Sequence, residues 1–154
     1  MRQATLCFLI KDNKVLLAMK KRGFGVGKWN GPGGKVHEDT HETVEQAAVR
    51  ETQEEVSVTP LMLEKVAEFK FTFPHNLDWG QTVHVFLCYK WSGEPKESEE
   101  MKPKWFDKDK LPYKKMWADD SIWMARVLAG KHLEADFEFD ENNKITKYNL
   151  KELN

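Results

Sequence analysis

The sequence predicts an α+β chain in which a mixed β-sheet lies between two main helices. Short apolar runs with strand character recur along the chain, a helix with a capping box opens at Thr43, and a second helix near Asp119 precedes a closing hairpin. At 154 residues the chain fits one domain, residues 1–154, large enough to bury roughly two-thirds of its unfolded surface.

Thr5 to Ile10 and Val15 to Lys20 read as strands joined by a hairpin turn at Asp12-Asn13. Lys20 to Gly31 follows, with glycine at 23, 25 and 27; such a loop can approach a triphosphate, and it can equally be a mobile surface loop. Thr43 with Gln46 three residues on predicts a helix over Val44 to Val56. Val66 to Phe73 alternates, placing Phe69, Phe71 and Phe73 on one face, whereas Thr82 to Tyr89 is apolar on both faces, as in a central strand. Gly93 to Lys104 is a polar surface loop by composition, and Trp105-Phe106 a short strand. Asp119 to Ala129 forms the second helix, begun by acids that suit an N-terminus and stopped by Gly130. Leu133 to Phe139 and Ile145 to Leu150 then make a hairpin around Glu141-Asn142-Asn143.

A net charge of −1 offers no large field for nucleic acid or for a membrane surface, so no stable nucleic-acid partner is expected. No stretch is long and apolar enough to span a bilayer, and the apolar run in MRQATLCFLIKDNK is too short for a signal peptide. Cys7 and Cys88 lie in apolar runs and suit buried free thiols of a reducing compartment. A cytoplasmic monomer is the default expectation.

The chemistry concentrates between Pro32 and Val58. On the helix, Val44, Ala48, Thr52 and Val56 form one i, i+4 stripe for a core, while Glu51 and Glu55 sit a turn apart on a neighbouring face with Glu54 beside them. Three like charges at that spacing repel. A hard divalent cation such as Mg²⁺ would offset them, since it takes oxygen ligands and is shared with substrate phosphates. A solvated acidic face with Arg50 as counter-ion accounts for RExxEE alone equally well. Gly33-Gly34, just upstream, lets backbone approach a ligand or metal closely.

Gly34, Glu42 and Arg50-Glu51-x-x-Glu54-Glu55 resemble the Nudix box, G-x5-E-x7-R-E-U-x-E-E-x-G-U, the strand-loop-helix signature of hydrolases of nucleoside diphosphate-linked compounds. Seven residues instead of five separate Gly34 from Glu42, Thr52 takes a bulky aliphatic position, and Ser57 replaces the last glycine. Loops tolerate such insertions. Further likeness lies in KKRGFGVGKWNG (Lys20 to Gly31), Val83-His84-Val85-Phe86, Glu97-Ser98-x-Glu100-Met101-x-Pro103-x-Trp105-Phe106 and Met116-Trp117-x-Asp119-Asp120-Ser121. These resemble the MutT-homologue oxidised-purine nucleoside triphosphatases from about Thr5 onward.

That resemblance implies a Nudix-type α/β/α sandwich and Mg²⁺-dependent hydrolysis of 8-oxo-dGTP and 2-hydroxy-dATP to the monophosphate and pyrophosphate, with Mn²⁺ able to substitute. It implies that Trp117 stacks on the base, that Asp119 and Asp120 bond its edge, and that Asn30 bonds its other side. Thr5, Phe24, Phe71 and Phe73 complete the pocket, with Lys20 near the sugar or phosphates. The residues alone support a weaker statement: a ring beside two acids can stack a base for about 1–3 kcal/mol, and adjacent buried acids share a proton, but a plain helix cap is the simpler reading of Asp119-Asp120. For metal the expectation is the Gly33 carbonyl, Glu51, Glu54 and Glu55, joined on the strength of the resemblance by Glu100. Glu55 is the first candidate for general base and Glu100 the second. Arg50 is expected to orient the glutamates, and Glu42 to be structural. Pro32 and Gln81 depart from the residues that the resemblance leads one to expect there. The rivals are hydrolysis of general dNTPs, diadenosine polyphosphates or nucleotide sugars, and a catalytically silent nucleotide- or RNA-end-binding module.

Overall fold

The computed structural model describes residues 1–154. Its strands are β1 (Arg2–Lys11), β2 (Lys14–Lys20), β3 (Trp29–Asn30), β4 (Thr59–Thr72), β5 (Gln81–Ser92), β6 (Met101–Asp107), β7 (Leu133–Phe139) and β8 (Ile145–Glu152), with helices α1 (Val44–Val56) and α2 (Asp120–Leu128). They join in one mixed sheet ordered β3-β2-β1-β5-β4-β7-β8, with β6 paired to β2. β1 and β5 run parallel, as do β4 and β7, and the remaining pairs are antiparallel.

β1 and β5 are apolar on both faces because both faces are covered. Ala4, Phe8 and Ile10 of β1 join a large core containing Trp123, Met124 and Val127 of α2. Cys7 and Leu9, on the opposite face, join a smaller core with Val56, Val58 and Cys88. Of the expected stripe on α1, Ala48, Thr52 and Val56 are buried and Val44, in the first turn, is half-buried; Ala47 and Glu55 are buried beside them. Its capping box is complete: Thr43 Oγ1 accepts from Gln46 N at 3.1 Å, and Thr43 N donates to Gln46 Oε1 at 2.9 Å.

β1 and β2 pair only at Ile10–Val15 and Lys11–Lys14 before diverging. The segment after β3 fills the wedge, with Cys7 N donating to Pro32 O and Thr5 N to Gly34 O. This seats Gly33-Gly34 against β1. A Cβ on Gly33 would lie 1.9 Å from the backbone oxygen of Thr5, so only glycine fits there, while one on Gly34 would lie 2.6 Å from the Glu51 carboxyl carbon and push that carboxylate aside.

Two expectations are corrected. The polar loop ends at Glu100, because Met101 already begins β6, which pairs along the whole of β2 from Lys20 to Lys14. β6 is therefore seven residues long instead of a short Trp105-Phe106 pair. β4 begins at Thr59, well before Val66, and register shifts at Met62, Leu63 and Ala67 break the alternation that would have marked its first half.

Candidate active site

Arg50 organises the acidic face of α1. Its Nε donates to Glu42 Oε2 at 2.7 Å and its Nη2 to Glu42 Oε1 at 3.0 Å, a two-pronged pairing. Its Nη1 donates to Glu51 Oε1 at 2.7 Å and reaches Glu54 Oε2 at 3.4 Å, while Nη2 also meets Lys35 O. The guanidinium holds the Glu42 carboxyl down to about 2. The longer loop before Glu42 folds into a 3₁₀ turn over Glu38–Thr40, and His37 N donates to Glu42 Oε1, so the extra length leaves the Glu42–Arg50 contact intact.

Glu55 is different. Its side chain turns away from Arg50 and accepts from Gly33 N at 2.8 Å. Burial, with repulsion from Glu51 and Glu100, pushes its carboxyl up to about 7 against the opposing Gly33 N–H and Lys20. A carboxylate titrating near neutrality is matched to taking a proton from water. Glu51 and Glu54 face Arg50 and Glu100 faces Arg22, so no three acidic side chains gather at one point.

Beside Gly33 opens a cleft of about 200 Å³. Thr5, Lys20, Phe24, Asn30, Phe71, Phe73, Trp117, Asp119 and Asp120 all line it. Asn30 Oδ1 accepts from Gly31 N at 2.8 Å, which leaves the side-chain NH₂ for a ligand. Phe24 leans on Trp117 with ring centres 5.1 Å apart.

Asp119 and Asp120 do not merely cap a helix. Asp119 holds the N-cap position without a side-chain capping bond; its Oδ2 instead accepts from Trp123 Nε1 at 2.7 Å. Both acids are buried, and Asp120 Oδ2 has no partner. Burial pushes Asp119 up to about 6; burial and the neighbouring Asp119 charge push Asp120 well above the usual carboxylate range. Burial and mutual repulsion thus favour a proton held between the two carboxyls, an arrangement that presents a donor beside an acceptor.

Glu100 is the outlier among the expected ligands. Arg22 holds it at 2.7 Å, Lys20 lies at 3.9 Å, and hydrogen bonding from Arg22 keeps its carboxyl below the usual range. Several pocket residues carried no individual role in the sequence reading. Lys28 sits with Nζ 5.3 Å from the Trp117 ring centre, signalled only by its place in the glycine-rich loop. Gly25 approaches Trp117 so closely that a Cβ would lie 3.4 Å from the ring. Met101, which the sequence offered only as part of a longer motif, arrives from β6, and Phe139 arrives from β7 with no local signal at all.

Residues 1–127 match the NUDIX domain. The chain is 46% identical over 149 residues to the oxidized purine nucleoside triphosphate hydrolase of Danio rerio, covering 97% of this chain and 94% of the relative. It is 42% identical over 155 residues to the Mus musculus protein of the same name, covering 99% and 96%. Among solved structures, a MutT protein of Bacillus halodurans superposes with a TM-score of 0.84 at 25% identity, over 97% of each chain.

Proposed function

The chain belongs to the NUDIX family of pyrophosphohydrolases, and from that premise we propose that it hydrolyses oxidised purine nucleoside triphosphates, such as 8-oxo-dGTP and 2-hydroxy-dATP, to the monophosphate and pyrophosphate. The observation that carries the reading is one continuous site. An aromatic cleft with a proton-sharing acid pair meets, through Gly33-Gly34, a helix face bearing Glu51 and Glu55. The names of the vertebrate relatives point to the same substrates.

In this reading the purine lies against Trp117 with its edge toward Asp119 and Asp120. The proton on Asp120 is donated to a base acceptor, while Asp119 accepts from a ring or exocyclic N–H. The Asn30 NH₂ is the further donor. Lys20, in the cleft and close to Glu55 and Glu100, faces the phosphates.

The acid face suits a hard divalent cation: its donors are oxygens, and Glu55 is a desolvated carboxylate whose ionised form a nearby positive charge would favour. Glu51, Glu54, Glu55 and the Gly33 carbonyl would hold Mg²⁺ or Mn²⁺, with Glu100 available once released from Arg22. When bound, the ion neutralises phosphate charge and lowers the barrier to attack by water. Glu55 takes the proton of the attacking water as the new phosphorus–oxygen bond forms and the anhydride bond breaks, releasing pyrophosphate. Arg50 keeps Glu42 ionised and holds both Glu42 and Glu51 in place. No helix is long and apolar enough to cross a membrane; a single catalytic domain, working as a cytoplasmic monomer, belongs to the same proposal.

The test is pyrophosphate release from 8-oxo-dGTP, 2-hydroxy-dATP and dGTP, with Mg²⁺ and with EDTA. Fast hydrolysis favouring the oxidised purines and abolished by EDTA is expected. Metal-dependent hydrolysis without that preference would remove the assignment of the base pocket, and no hydrolysis would favour a silent binder.

A further inference from the structure

Five aromatic rings close a circuit around the mouth of the cleft. From Trp117 the chain of contacts runs to Phe24 (5.1 Å between ring centres), Trp79 (5.5 Å), Phe73 (5.8 Å) and Phe139 (5.2 Å), and returns to Trp117 at 6.3 Å. Four of the five line the cleft; Trp79 does not. It closes the circuit from outside.

Phe24 is the weakly held member. It stands between Gly23 and Gly25, both at left-handed φ (+83° and +84°), and is 57% exposed. Its ring partners are Trp117 and Trp79. Trp79, 39% exposed, sits on an anchored turn. It ends the 3₁₀ turn Leu77–Trp79, with Trp79 N donating to Asn76 O at 3.1 Å and Asn76 N to Phe73 O at 2.9 Å. Arg2 Nη2 donates to Asp78 O at 3.0 Å, tying the turn to β1. The Trp79 ring also meets His75 edge-on at 5.5 Å. A ring set in a hydrogen-bonded turn thus braces the more exposed ring of Phe24.

We propose that Trp79 is a positioning residue that sets base selectivity: it holds Phe24 over the cleft and closes the aromatic collar, so that a broad purine is retained better than a pyrimidine. The inference rests on the nucleotide-hydrolysis reading above. Nothing in the local sequence announces Trp79, which lies in the connection between β4 and β5 and comes to Phe24 only through the fold.

Steady-state kinetics with Mg²⁺ on the full chain test this, using 8-oxo-dGTP and dCTP with Trp79→Ala and Trp79→Phe. The Ala variant should raise KM for 8-oxo-dGTP about three- to tenfold, the range set by losing an aromatic contact, with kcat within about twofold. It should also narrow the preference for purine over pyrimidine, and Trp79→Phe should restore both. Should Trp79→Ala fail to fold, Trp79→Leu, which keeps apolar bulk without a ring, carries the same expectations. Unchanged KM and preference in the variant, a loss confined to kcat, or no rescue by Phe overturns the inference and leaves the hydrolase reading standing. A wild-type chain inactive on 8-oxo-dGTP overturns both.

Discussion

The molecule carries two crowded sets of carboxylates and neutralises them in opposite ways. On α1, Arg50 answers Glu42, Glu51 and Glu54 with a fixed positive charge, so Glu42 stays ionised down to about pH 2. At the start of α2 no cation is paired with Asp119 and Asp120, both are buried, and burial pushes both carboxyls toward the protonated form. The same residue type is thereby made into an arginine-paired face in one place and a donor–acceptor pair in the other. Only the first suits a metal and phosphates; only the second suits the edge of a neutral base. Glu55 stands between the two, on the acid helix but beyond Arg50, buried as the aspartates are.

Removing the charge that stands between them should have the largest effect. Glu55→Gln keeps an acceptor for Gly33 N, so the fold should survive while turnover of 8-oxo-dGTP falls about 10²- to 10⁴-fold, the usual weight of a general base. Nucleotide binding, followed by quenching of tryptophan fluorescence, should change little. Retained turnover would remove Glu55 from the essential set.

Arg50→Met deprives Glu42 and Glu51 of their counter-ion. Urea unfolding at pH 7 should show a loss of about 2–3 kcal/mol, below the figure for a fully buried pair because the Arg50 side chain is 23% exposed. A change under about 0.5 kcal/mol would make the arginine an ordinary surface partner.

The two regions should also respond to pH with opposite signs. Glu42 has a depressed carboxyl, so its contribution to stability is present above its unfolded value of 4.5 and is lost as pH falls toward 2. Glu42→Gln should therefore destabilise at pH 7 and matter little near pH 2. The aspartates are raised, so the stability tied to their protons is complete below 3.8 and declines as pH rises, through about 6 for Asp119, with Asp120 raised in the same direction. Asp120→Asn, a stand-in for the protonated acid, should stabilise by about 1–2 kcal/mol at pH 7 and have little effect below pH 4. Thermal melts of both variants across pH check the signs; shifts in the same direction would erase the distinction.

Much of this could be read from the chain because local signals agreed with the fold. The Thr43–Gln46 capping box and the stripe of Ala48, Thr52 and Val56 located α1, and the alternation of Phe69, Phe71 and Phe73 located the strand that floors the pocket. Bulges hid the first half of β4, whose Leu61 and Met62 are exposed, and the polar pattern of β6 concealed a strand that β2 selects by pairing. Phe139 and Trp79 reach the site through tertiary packing from distant segments. The Asp119-Asp120 pair was visible as two acids at a helix start, but its burial, and the Trp123 bond that draws Asp119 away from capping, belong to the folded chain alone.

The most direct measurement is the ratio of kcat/KM for 8-oxo-dGTP over dGTP, from pH 5 to 8, in the wild type and in Asp119→Asn, whose amide oxygen can still accept from Trp123. If the pair reads the base through its shared proton, the wild-type ratio changes through about pH 6, where Asp119 ionises, and the variant's ratio is flat and lower by about tenfold. Superimposable profiles with the same preference would contradict it and return Asp119 to a purely structural role.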